Sequence, residues 1–166
     1  MDKTYSRADG SPPPWLDRTE YPFTSRYFRQ PDGLMHYIDE GQGETLIFVH
    51  GNPSWSFEYR RLIRHFASTN RCIAPDHMGF GLSEAPPSAS YLPQYHAENF
   101  AHLMDALDLS DATLVIQDWG GPIALDYASR NPRRIKRIIA FNSWFFDVRD
   151  QTVLRRFSAI IGSGIG

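Results

Sequence analysis

The chain is almost without cysteine. Cys72 stands alone among 166 residues, inside an apolar run, so no internal disulfide can form. A lone thiol of this kind favours a reducing compartment. A surplus of either charge is lacking as well. The 17 Lys and Arg against 19 Asp and Glu leave a net charge of −2, which gives no support to binding of nucleic acid or of an anionic membrane. No apolar run approaches the roughly 20 residues of a membrane span. The first residues place acid, base and proline where a secretory signal needs an apolar core. Repeats and low-complexity tracts are missing too. What these absences leave is a single soluble globular domain, expected in the cytoplasm, with neither nucleic acid nor membrane as a partner. Its 42% apolar content is enough to bury a core.

What is present is an alternation of short apolar runs and helical stripes. Residues 1–24 are polar and contain Pro12-Pro13-Pro14, which predicts an irregular surface arm pinned by Trp15 and Tyr21. Residues 25–28 and 35–38 read as strands, and Pro31-Asp32-Gly33 between them is turn chemistry. They predict an antiparallel hairpin at a sheet edge. Residues 45–49 form an unbroken apolar run, as in a strand covered on both faces. A helix over 57–67 follows, with Tyr59, Leu62, Ile63 and Phe66 on one stripe. Then come a strand over 71–75 and a helix over about 92–107, with His96, Phe100, Leu103 and Leu107 on one side. A strand ending at Asp118 leads into a helix over 122–130, with Pro122 suited to its first turn. Residues 135–141 read as a buried-type strand and 150–161 as a helix. Strands alternating with helices of this length predict an α/β fold with right-handed crossovers and a mostly parallel, doubly wound sheet. Ligands bind such sheets outside the carboxyl ends of the strands. Asn52, His77, Asp118 and Asn142 all fall at those ends.

One junction carries chemistry. The apolar run at 114–116 stops at Gln117-Asp118-Trp119, and Gly120-Gly121 open the next helix. Strand, sharp turn, helix is the layout of a nucleophile elbow, with aspartate in place of the usual serine. A carboxylate there implies attack on a carbon centre and a covalent ester. The same residues also fit a strand end with an acid cap, and this stretch alone leaves both open. A second loop, His50-Gly51-Asn52-Pro53, adds to the first reading. The backbone N–H groups of Asn52 and Trp119, each just past a buried strand, are expected to face one oxyanion pocket. The helix start contributes its positive end, which favours an ionised Asp118. The Trp119 indole and the Asn52 amide add neutral donors, able to stabilise a departing anion without neutralising the nucleophile.

These residues resemble the haloalkane dehalogenases, a family within the α/β-hydrolase fold, over residues 21–147. His50-Gly51-Asn52-Pro53 is similar to the family's oxyanion loop. The run Asp76-His77-Met78-Gly79-Phe80-Gly81-Leu82-Ser83 is similar to its glycine loop, and Gln117-Asp118-Trp119-Gly120-Gly121 to its elbow. The resemblance implies that Asp118 is the nucleophile and that Asn52 and Trp119 grip the halide. It implies a small apolar halogenated substrate, hydrolysed to alcohol, halide and a proton, with no cofactor and no metal. Epoxide hydrolases share the Asp-Trp-Gly-Gly elbow but usually carry a bulky apolar residue where Asn52 stands. Fluoroacetate dehalogenases typically have arginine where Trp119 stands. Because Asn142 is not acidic, the chain resembles the subfamilies whose triad acid follows a later strand, and with Asn52 rather than a carboxylate in the halide pair it most resembles the third subfamily.

The resemblance also implies a chain roughly twice this length. On that expectation residues 1–142 are the N-terminal half of the main domain and 143–166 the start of the helical cap. The fold is then truncated before the last strands and most of the cap. The base histidine and the triad acid have no counterpart here: His50 belongs to the oxyanion loop, His77 to the glycine loop and His36 to an edge strand. His65, His96 and His102 read as packing or surface residues on helices, without zinc-motif spacing. Asp118 is therefore expected to be alkylated without turnover, for want of a base to activate water. The strand over 135–141 is expected to be an exposed apolar edge, inviting self-association or a second chain. Two other readings remain: an epoxide hydrolase of the same fold, and a non-catalytic fragment or one half of a two-chain enzyme.

Overall fold

The computed structural model describes residues 13–144. Six strands, Arg26–Gln30 (β1), Gly33–Glu40 (β2), Glu44–Val49 (β3), Asn70–Pro75 (β4), Ala112–Asp118 (β5) and Ile135–Ser143 (β6), form one sheet. Their order is β1-β2-β4-β3-β5-β6. β1, β2 and β4 pair antiparallel, whereas β4, β3, β5 and β6 run parallel. Three helices, Arg60–Phe66 (α1), Pro93–Ala106 (α2) and Gly120–Arg130 (α3), make the crossovers between parallel strands. The α/β class, the hairpin and the parallel sheet are as the alternation of runs requires.

Alternation along the central strands splits the core in two. Ile47 and Val49 face α2 and α3, together with Leu114, Ile116, Phe100, Leu103 and Ile123. Phe48 and Val115, one residue out of phase, face the opposite side with Tyr59, Ile63, Ile38 and Cys72. A side-chain period of two puts successive residues on opposite faces, so one apolar run supplies both cores.

Three expectations are corrected. The helix over 57–67 begins as a 3-10 turn, Ser56–Tyr59, and only seven residues are α-helical. Its short length lets Tyr59 and Ile63 reach the sheet while Leu62 remains 37% exposed. The helix expected from residue 122 starts at Gly120, because a proline in the first turn removes an N–H that has no intrahelical acceptor. The arm is more than a surface loop: Leu16, Tyr21 and Phe23 are buried in the α1-side core, whereas Trp15 stays 54% exposed. β6 is exposed along most of its length. No strand covers its far side among the described residues, so its apolar sequence forms the edge anticipated for it. The helix expected over 150–161, most of the proposed cap region and residues 1–12 lie outside the described residues.

Candidate functional site

The site forms where β3, β4 and β5 end on the parallel part of the sheet. Asp118 closes β5 with φ +48, in the left-handed region that non-glycine residues seldom adopt. Such an outlier at a strand-to-helix turn is the backbone signature of an elbow that lifts one side chain above the sheet. Two glycines permit it. A Cβ on Gly120 would stand 2.1 Å from the Val49 carbonyl oxygen, so only glycine lets α3 start so close to β3. A Cβ on Gly51 would stand 2.4 Å from Asp118 Oδ1, so the absent side chain is the space the carboxylate occupies.

Asn52 and Asp118, 66 positions apart, meet directly: the Asn52 backbone N–H donates to Asp118 Oδ1 at 3.0 Å. The expected oxyanion donor thus holds the carboxylate itself. Ser143, which sequence reasoning missed, donates its hydroxyl to the Asp118 carbonyl oxygen at 2.8 Å. A shift of register in β6 pairs Ser143 with Asp118 and leaves Asn142 at φ +41. Asn142 itself is exposed. Nothing in the composition of a Phe-Asn-Ser run announces that bulge.

A cleft of about 400 Å³ opens beside the elbow. Gly51, Asn52, Trp119 and Ile123 line one part, and His77, Phe80, Tyr91 and His96 another. Asn52 and Trp119 therefore share one space. Trp144 packs edge-on against Trp119, with ring centroids 5.0 Å apart. α3 points its N-terminus at this region, where a helix end favours negative charge.

At the cleft lies a cluster of tilted imidazoles whose meeting no motif disclosed. His50 and His77 have ring centroids 4.2 Å apart, and His77 and His96 5.5 Å apart. Burial lowers the pKa of all three, and the neighbouring imidazoles of His50 and His96 push His77 well below the usual histidine value. His96, read as a packing residue, does pack here, but against the site. His36, read only as an edge-strand residue, is fully buried, and its Nδ1 is hydrogen-bonded to Asp76 Oδ2 at 2.9 Å. Asp76 also accepts from the backbone N–H groups of Ser56 and Leu82, each at 2.8 Å. Burial pushes the Asp76 carboxyl up. The His36 contact, His50 and the Leu82 N–H outweigh that and hold it below the ordinary range. Asp76 thereby ties the loop after β4 to the loop after β3.

Fold and elbow together define an α/β hydrolase, and the alpha/beta hydrolase fold family matches residues 44–158. The chain belongs to that family. Among curated proteins it is 39% identical to haloalkane dehalogenase 2 of Mycobacterium tuberculosis over 155 residues, 93% of this chain and 52% of that protein. It is 42% identical to cis-3-alkyl-4-alkyloxetan-2-one decarboxylase of Shewanella oneidensis over 135 residues, 80% of this chain and 42% of that protein. Among solved structures, the tetrameric haloalkane dehalogenase DpaA of Paraglaciecola agarilytica NO2 superimposes with a TM-score of 0.74. The two are 29% identical, over 87% of this chain and 55% of that one. The chain thus spans about half the length of the curated relatives it matches.

Proposed function

We propose that the chain carries the nucleophile side of a hydrolase that cleaves carbon–halogen bonds. The carrying observation is the Asp118 carboxylate, at a left-handed elbow and held by the Asn52 N–H, beside a cleft lined by Asn52 and Trp119. Similarity to named haloalkane dehalogenases supports the same reading. Asp118 attacks the saturated carbon of a small apolar haloalkane. One oxygen–carbon bond forms, the carbon–halogen bond breaks, and the halide leaves with its electron pair toward the Asn52 amide and the Trp119 indole N–H. Both donors are neutral, so they stabilise the anion without quenching the carboxylate. Water then hydrolyses the alkyl ester to alcohol and a proton, restoring Asp118. That second step needs a general base and an acid to orient it, which the motifs of these 166 residues do not supply. The chain by itself is proposed to stop at the ester.

The test is single-turnover halide release from 1-bromobutane, followed by intact-mass measurement. Stoichiometric bromide and an alkyl adduct located on Asp118 are expected, and both should vanish in Asp118→Asn. Bromide release that survives this substitution overturns the proposal.

The 42% identity to an oxetanone decarboxylase favours a second reading. The same carboxylate can open a four-membered lactone at its saturated ring carbon, with the ring carboxylate as leaving group and the same donors receiving it. Loss of CO2 from a cis-3,4-dialkyloxetan-2-one, with no bromide from bromoalkanes, would select it. Hydrolysis of styrene-type epoxides without bromide release would instead select an epoxide hydrolase.

A further inference from the structure

We infer that His77 is a positioning residue for Asp118, acting through His50 and the Asn52 amide; the inference rests on Asp118 being the nucleophile. His77 sits in the loop after β4 and does not touch the carboxylate. It is joined to the oxyanion loop by two reciprocal hydrogen bonds. Its backbone N–H donates to His50 Nε2 at 2.9 Å, and its own Nε2–H donates to the His50 carbonyl oxygen at 3.0 Å. With Nε2 of His50 accepting, Nδ1 of that ring carries the proton and donates to the Gly51 carbonyl oxygen at 2.8 Å. The next residue is Asn52, whose N–H meets Asp118 Oδ1 at 3.0 Å.

His77 thus holds the backbone on one side of Gly51 directly and, through the His50 ring, on the other. A Cβ on Gly120 would lie 2.8 Å from the same His50 carbonyl oxygen, so the clamped atom also abuts the start of α3. Packing alone does not account for a histidine at this position. Nδ1 of His77 is buried and has no partner among the described residues. An apolar side chain would fill that volume without leaving an acceptor unsatisfied. What an apolar residue cannot do is hold the His50 carbonyl.

Two variants of the chain separate positioning from packing. His77→Phe keeps the ring and the backbone bond but loses the Nε2–H, whereas His77→Gln retains a side-chain N–H of similar reach. In single-turnover bromide release from 1-bromobutane, His77→Phe should lower the limiting rate roughly tenfold, with the half-saturating concentration within about twofold of the parent. His77→Gln should recover most of that rate. The Asn52 amide proton, read by 1H–15N correlation, should shift in His77→Phe and return in His77→Gln. If His77→Phe does not fold, His77→Asn, polar but too short to reach His50, carries the same expectation. An unchanged limiting rate, a loss confined to half-saturation, or an equal loss in His77→Gln overturns the inference. If the parent releases no bromide, the nucleophile reading fails instead. The Asn52 amide then decides alone, and an unmoved resonance in His77→Phe overturns the clamp.

Discussion

Gly51 shows how little space separates the oxyanion loop from the elbow. A methyl group there would lie 2.4 Å from Asp118 Oδ1, closer than the two can stand. Gly51→Ala should displace the carboxylate by a fraction of an ångström to an ångström and slow single-turnover bromide release by roughly a hundredfold. Circular dichroism should meanwhile report a folded sheet. The buried imidazoles make a second prediction at this scale. His50, His77 and His96 all have folded-state values below their ordinary one. Below about pH 6.5 the unfolded chain binds protons that the fold excludes, so stability is complete above that pH and declines as pH falls. Asp76, held low, adds stability that is present above its unfolded value of about 3.9 and is lost as pH falls through the folded value. The urea midpoint should therefore be lower at about pH 5.5 than at about pH 7.5. Equal midpoints would contradict it.

Elements were legible in proportion to how locally their causes are written. β5 and its elbow can be read from residues 114–121 because hydropathy changes abruptly at Gln117 and two glycines follow. β3 and the hairpin are equally local. α1 was only half legible: the stripe is real, but its use depends on how far seven helical residues extend over the sheet. Ile63 is fully buried, whereas Leu62 stays partly in solvent. Ile63→Ala should cost about 2–5 kcal/mol of unfolding free energy. Leu62→Ala should cost much less, within about 1 kcal/mol, and chemical denaturation will measure both. The parts that stayed hidden are contacts between distant loops. The His50–His77 exchange joins residues 27 apart, and the His36–Asp76 pair residues 40 apart. Each depends on where two strand ends come to lie, which periodicity does not encode. The placement of Asn52 beside Asp118 was anticipated because both follow apolar runs. The capture of its N–H by the carboxylate was not.

At the scale of the whole molecule, the sheet has two unlike borders. β1 shows exposed Arg26 and Arg29 to solvent, charges of the kind that discourage strand addition. β6 also carries exposed Lys136 and Arg137, but both are engaged by Glu44, and beyond them it exposes Ile138, Ile139 and Phe141, each between 44% and 49%. Over the described residues the second border is an aggregation site by composition and by its unpaired backbone. The 166-residue chain should self-associate, and Ile139→Lys should shift it toward monomer in size-exclusion chromatography with light scattering. The inequality of the two borders also bears on the expected stoichiometry. If strands could be added on both sides, copies would pair head to tail without limit. With only one border receptive, a second copy must bring its own β6, and the twofold pairing consumes both at once. Association through β6 is therefore expected to close at two chains, which the same light-scattering measurement would show.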